Sequence, residues 1–163
     1  MKKLTYRLKS SVTFLSLLAS LIFSHLAFAS DVAVEHGYIR ATIPGTSVSS
    51  AYMEINNASE KDMVLIGATS KVSDRIEIHE HVMKDEMMRM MKRESLTIPA
   101  NDHVVLQPSG YHLMIFNLVE PLKVDQQVEI TLHFDNKKNL TIELPVQSIK
   151  RKKQKESAHH HHH

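Results

Sequence analysis

Short runs in which apolar and polar residues alternate, cut at intervals by turn signals, constrain this chain more than anything else in it. In the run that starts at Arg75, Ile76 and Ile78 fall on one side and Glu77, His79 and His81 on the other. Period two is the signature of extended backbone, whose successive side chains point to opposite faces. The same reading predicts strands over 33–42, 51–56, 63–68, 75–83, 87–93, 103–106, 112–118, 127–134 and 140–146. Between them stand Pro44-Gly45, Asn56-Asn57, Pro99 to Asp102, Pro108-Ser109-Gly110 and Asp135-Asn136, all turn formers. No convincing amphipathic helix and no internal repeat follows the N-terminal segment. Many short strands with such punctuation predict an all-β fold, an antiparallel β-sandwich.

The chain ends stand apart from this pattern. Lys2, Lys3, Arg7 and Lys9 precede an apolar stretch over 12–23, and Ala27-Phe28-Ala29 supplies a small-x-small cleavage site. Residues 1–29 therefore read as a secretory signal peptide, with the mature protein beginning at Ser30. The apolar run is shorter than the roughly 20 residues that span a bilayer, so no stable membrane insertion is expected after cleavage. No cysteine follows the cleavage site, which excludes a lipid anchor on that residue. Removing 29 residues leaves 134, enough for one domain with its own core, placed at 30–149. That body holds 11 basic and 17 acidic residues, a net of −6, so the formal charge of +2 comes from the ends. A basic face for nucleic acid is not supported. Residues 150–163 are basic and then His-rich and read as a disordered tail. The histidines at 159–163 are either an expression tag or a native tail that would bind Cu(II).

Period two also sorts the soft metal ligands. Ten residues separate His79 from Met90, twenty-one separate Met90 from His112, and one separates His112 from Met114. His112 and Met114 share a face opposite Leu113 and Ile115, and Met88 and Met90 face together. A short connection at Lys84-Asp85-Glu86 predicts a hairpin that brings His79 and Met90 near one another. Two imidazoles and two thioethers suit neither magnesium nor calcium, which want oxygen; they suit Cu(I). A lone His-x-Met would mean little, since methionine is a common core filler. Five methionines in nine residues (Met83, Met87, Met88, Met90, Met91) exceed ordinary packing needs. Exposed thioethers also invite sulfoxide formation. His81, Met83 and Met88 could form an auxiliary metal site or a handoff path, or be exposed strand residues. His36, His103 and His133 have no partner at useful spacing.

The spacing H-x10-M-x21-H-x-M begins in Ile-His-Glu-His-Val-Met, passes through Met-Met-Arg-Met and ends in Gly-Tyr-His-Leu-Met-Ile. With it the chain resembles the periplasmic copper chaperones called PCuAC, over roughly 34–145. Arg40-Ala41-Thr42, Ala51-Tyr52-Met53, Ile98-Pro99-Ala100 and Leu106 to Gly110 extend the likeness. Two departures touch no ligand: the hairpin turn lacks the family's frequent glycine, and Tyr38 stands where tryptophan is frequent. The resemblance implies a cupredoxin-like Greek-key sandwich, monomeric, with an exposed Cu(I) site formed by His79, Met90, His112 and Met114. It implies delivery of copper to an oxidase subunit or a Sco-type assembly protein in the periplasm.

Chemistry bears on the same choice. A blue-copper carrier needs a cysteine thiolate, and the sequence has no cysteine. No Ser-His-Asp order, paired-carboxylate signature or phosphate loop stands out, so no enzymatic activity is expected. A buffering or resistance protein would use the same four ligands without a dedicated acceptor. A copper-dependent redox protein is the third reading.

Overall fold

The computed structural model describes residues 31–148. The signal segment expected at 1–29 and the tail expected from 150, with any Cu(II) bound by its histidines, lie outside the described residues. Ten strands make up the fold: β1 (Val32–Arg40), β2 (Ser49–Asn57), β3 (Met63–Thr69), β4 (Arg75–Lys84), β5 (Met87–Arg93), β6 (Leu96–Ile98), β7 (Asp102–Leu106), β8 (Tyr111–Phe116), β9 (Gln127–Phe134) and β10 (Asn139–Gln147). No helix occurs among the described residues. The all-β expectation holds, and nine of the ten strands fall on predicted segments; β6 is the addition.

Hydrogen-bonded neighbours run β5-β4-β8-β7-β2-β1-β10-β9-β3-β6, and β8 also pairs with β2. Strand β10 links two layers. Its residues from Asn139 to Pro145 pair antiparallel with β9, while Val146 and Gln147 pair parallel with Ile39 and Arg40 of β1. A second parallel contact joins Leu106 of β7 to Tyr111 of β8. The sandwich is thus mixed at these two short contacts and antiparallel elsewhere.

The inward face of each strand builds one core. Ile39, Ala51, Met53, Ile55, Ile78, Leu113 and Ile115 meet Leu65, Val128, Ile130, Leu132, Phe134 and Leu144, all buried. Each large aliphatic side chain so buried contributes about 1.5–3 kcal/mol, which lets a domain without disulfides hold together. In β9 the alternation is complete: Val128, Ile130, Leu132 and Phe134 are buried, and Glu129, Thr131 and His133 are not.

Two local devices position the outer face of the β4–β8 pair. In β1 the register slips between Glu35 and Tyr38 while β2 advances from Glu54 to Tyr52, one residue fewer. This is a β-bulge, with His36 at φ 53°. It turns Tyr38 to the outer face, where its ring lies 5.2 Å from that of Tyr52. The second device is the β4–β5 turn. Lys84 pairs with Met87, leaving the two-residue loop Asp85-Glu86, both at positive φ (52° and 61°). That is the type I′ geometry that matches strand twist. Strand β5 forms the edge, and all of it except Arg93 is exposed.

Candidate metal centre

Register places the candidate ligands. In β4 and β8, His79 lies directly opposite His112, and Glu77 opposite Met114. In β4 and β5, His81 lies opposite Met90 and Met83 opposite Met88. Directly opposed residues of an antiparallel pair share a face, and period two carries that face along each strand. His79, Met90, His112 and Met114 therefore lie on one face of one sheet, behind the buried Ile78, Leu113 and Ile115. Met90 sits diagonally from His79, a separation of about 7–8 Å between Cα atoms that long side chains can close. The residue directly across from Met90 is His81.

The rings form a cluster. His112 is buried, 2% accessible, although it points away from the core. Tyr52 covers it at 6.2 Å between ring centroids, His79 at 6.0 Å, and His81 stacks on it at 5.0 Å. Phe116 closes the far side of His79 at 5.8 Å and carries the Arg75 guanidinium 4.2 Å above its ring.

Hydrogen bonds fix which nitrogens remain free. His112 Nδ1 lies 3.1 Å from the Gly110 carbonyl. A carbonyl only accepts, so Nδ1 carries the proton and Nε2 keeps its lone pair in the neutral ring. His79 Nε2 lies 2.9 Å from Glu77 Oε2. A carboxylate likewise accepts, which leaves the lone pair on His79 Nδ1. That atom is buried without a hydrogen-bond partner, as is His81 Nδ1. Unpartnered buried nitrogens are costly in a folded protein and call for an occupant. Met114 Sδ accepts from the Ser50 hydroxyl at 3.3 Å, which orients the thioether.

The electrostatics favour a neutral His112. Burial pushes the pKa of His112 down; the Gly110 bond opposes this, and the nearby His81 and His79 push it down further. Glu77 is held below the usual carboxylate range, first by the bond from His79, against some desolvation, with Lys92 and Arg75 assisting. Their charged nitrogens stand 3.7 Å and 4.0 Å from Glu77 Oε1. Among the described residues, no group of three His, Asp or Glu side chains is arranged to hold a metal by itself. Besides the imidazoles, the soft donors on this face include the Met90 and Met114 thioethers, which together make a mixed nitrogen and sulfur set. That is the donor set of a soft ion such as Cu(I).

Over residues 32–146 the sequence matches the family described as "Putative lipoprotein LpqE-like". The chain belongs to this family. A "Putative lipoprotein Lxx21020" of Leifsonia xyli subsp. xyli is 28% identical over 120 residues, 73% of this chain and 71% of that protein. Among solved structures, apo-DR1885 from Deinococcus radiodurans is 31% identical, with a TM-score of 0.57, covering 75% of this chain and 82% of that one. The CuI form of DR1885 superposes with a TM-score of 0.58 at 26% identity, over 78% and 85%. The copper-bound PCuAC domain of PmoF2 shares the fold at a TM-score of 0.63 and 22% identity, over 73% and 94%. The cupredoxin-like sandwich of the PCuAC type is thus the fold of this LpqE-like chain.

Within the LpqE-like fold, each sequence-predicted site residue has a definite place. His79, His112 and Met114 sit at the centre of the face, half-buried or buried. Met90 stands at the exposed edge, 47% accessible, and Met83 and Met88 lie farther out at 67% and 57%. His81 is half-buried in the ring stack. Sequence reasoning did not single out Glu77, Ser50 or Tyr52. Glu77 precedes His79 at the same-face spacing, and that spacing was the signal available for it. Ser50 and Tyr52 belong to a strand distant in sequence, and only β2–β8 pairing brings them in. His36 and His103 lie apart and exposed; His133 bonds Thr69 and Asn139 at the other layer.

Proposed function

We propose that this protein is a Cu(I) carrier of the cell envelope. It holds one ion between His79, Met90, His112 and Met114 and passes it to an acceptor. One observation supports this above the rest: the two opposed imidazoles have their other nitrogens tied off by Gly110 and Glu77, so each keeps one lone pair free, on the sheet face that also carries Met114. Hydrogen bonds to the nitrogen opposite the metal orient metal-bound histidines and raise their basicity. Four neutral donors favour Cu(I) over Cu(II), and the Glu77 carboxylate offsets the charge of the ion. The copper-bound relatives DR1885 and the PmoF2 domain support the choice of metal.

The site is open on the β5 side, because Met90 lies on an exposed edge strand. An acceptor thiolate can attack there before all the donor bonds have broken. Softer anionic ligands then win the exchange. This favours transfer over storage or catalysis; the chain has no thiolate ligand for a blue-copper centre. The expected acceptor is a copper-binding oxidase subunit or a Sco-type assembly protein, met in the periplasm by a monomeric carrier whose signal segment has been removed. Copper, here, is cargo.

Anaerobic titration against a Cu(I) chelator tests the binding, and stopped-flow transfer to a thiolate-bearing acceptor tests the role. The transfer rate should rise with acceptor concentration and exceed the rate of loss to chelator. Equal rates, independent of acceptor, would replace the carrier with a buffering protein.

A further inference from the structure

Two thioethers on the ligand face belong to no part of the site described so far. Met83 and Met88 lie directly opposite one another across the β4–β5 hairpin, one rung outward from His81 and Met90. Side chains so opposed have Cβ atoms about 4.5–5.5 Å apart. Two unbranched thioethers at that spacing can close on a single ion with no backbone movement. Packing does not account for them. Both are more than half exposed, and neither belongs to the core. An exposed cross-strand pair contributes about 0.2–1 kcal/mol at best. A β-branched pair would supply this with higher strand propensity and no sulfur to oxidise.

A third donor stands one rung inward. Same-face residues in a strand are separated by about 6.5–7 Å, so His81 lies within side-chain reach of the pair. Its ring is stacked on His112, and its Nδ1 is buried without a partner. The type I′ turn at Asp85-Glu86 holds the two strand ends in register, so the pair is fixed where the hairpin meets solvent.

Resting on the copper reading above, we propose that Met83 and Met88, with His81, form a second and weaker Cu(I) site at the hairpin end. It lies one rung from the quartet and shares its open edge. Two of its three donors are solvent-exposed, and each must lose rotamer freedom to bind, which makes it the weaker site. Because His81 touches His112 and faces Met90, an ion held there lies next to the quartet it would load or leave.

The test uses the full chain labelled with carbon-13 at the methionine methyls and titrated with Cu(I) under anaerobic conditions. Cu(I) has a closed d shell and leaves the signals sharp, and histidines at 159–163 contribute no methyl signal. The Met90 and Met114 methyls should shift over the first equivalent, and those of Met83 and Met88 over a second. The M83L/M88L double variant should keep the first step and lose the second. The proposal is overturned if Met83 and Met88 stay unmoved through two equivalents, or move in step with Met90 from the first addition. It is also overturned if any methionine methyl still shifts over a second equivalent in the double variant. Should Met83 and Met88 respond while Met90 and Met114 do not, the quartet reading fails and the hairpin site stands.

Discussion

Replacing Glu77 by alanine removes the group that sets the His79 tautomer without touching a proposed ligand. In the wild type the carboxylate accepts from His79 Nε2 at 2.9 Å and is itself about one-fifth accessible. Without it, the Nε2–H loses its acceptor, the ring can turn, and the proton can move to Nδ1, the atom proposed to bind copper. Loss of an outer-shell partner of this kind weakens metal binding by about 10- to 100-fold, or roughly 1.4–2.7 kcal/mol. Partial exposure, and the competing charges of Lys92 and Arg75, place the expected loss near the lower end, about tenfold. Glu77→Gln keeps a neutral acceptor of the same shape. Charge-assisted hydrogen bonds are about twice as strong as neutral ones, so this variant should fall between the wild type and E77A. Folding should suffer little, because the pairs to Lys92 and Arg75 are surface pairs worth about 0–1 kcal/mol. Chelator competition at neutral pH measures the affinity, and urea unfolding of the metal-free variant checks the fold. If E77A binds Cu(I) within twofold of the wild type while folding normally, Glu77 does not position His79 and the tautomer argument collapses.

Other outcomes follow from the same geometry. Met114→Leu keeps the volume and removes the sulfur; metal-free stability should change by less than about 1.5 kcal/mol, while chelator competition shows weakened Cu(I) binding. Leu113→Ala, between two ligands and fully buried, should cost about 2–5 kcal/mol in urea unfolding. His112 has a folded-state pKa below its ordinary value, so the unfolded chain takes up its proton first; stability should fall as pH drops from about 6.5 through the lowered folded value. His112→Gln should flatten that part of the urea-midpoint profile, and an unchanged slope would count against the burial argument. Glu86→Gly relieves a non-glycine residue at φ 61° and should raise the urea-unfolding free energy by about 1 kcal/mol.

Much of the fold could be read from alternation because one face of most strands is buried. Strand β9 and strand β5 end where the pattern ends. Strand β6 escaped because three residues, Leu96 to Ile98, are too few to display a period. Strand β8 stops at Phe116 rather than at 118, since Asn117 adopts φ 49°. Strand β1 stops at Arg40; Ala41 N–H still donates to Gln147 at the end of β10, but Thr42 N–H donates to Leu122, which lies in no strand. The β1 bulge and the two parallel contacts depend on how distant segments meet, which no local pattern encodes. For the site, alternation put the four ligands on outward faces. It did not give the register, which a two-residue rather than three-residue turn decides: Lys84 pairs with Met87, so His81 faces Met90 and His79 lies on the diagonal. The Met83–Met88 thioether pair follows from that register, and the stacking of His81 on His112 follows from the β4–β8 register, which sets His79 opposite His112.

X-ray absorption at the copper edge tests the central claim most directly, on the full chain loaded with one equivalent of Cu(I). The quartet predicts two sulfur and two nitrogen scatterers around a single monovalent ion. In M83L/M88L/M90L/M114L, which removes the hairpin thioethers as well, the sulfur shell should disappear from the first equivalent. A wild-type shell of nitrogen and oxygen alone would contradict the account, because it would place the copper away from the thioethers on which the whole reading depends.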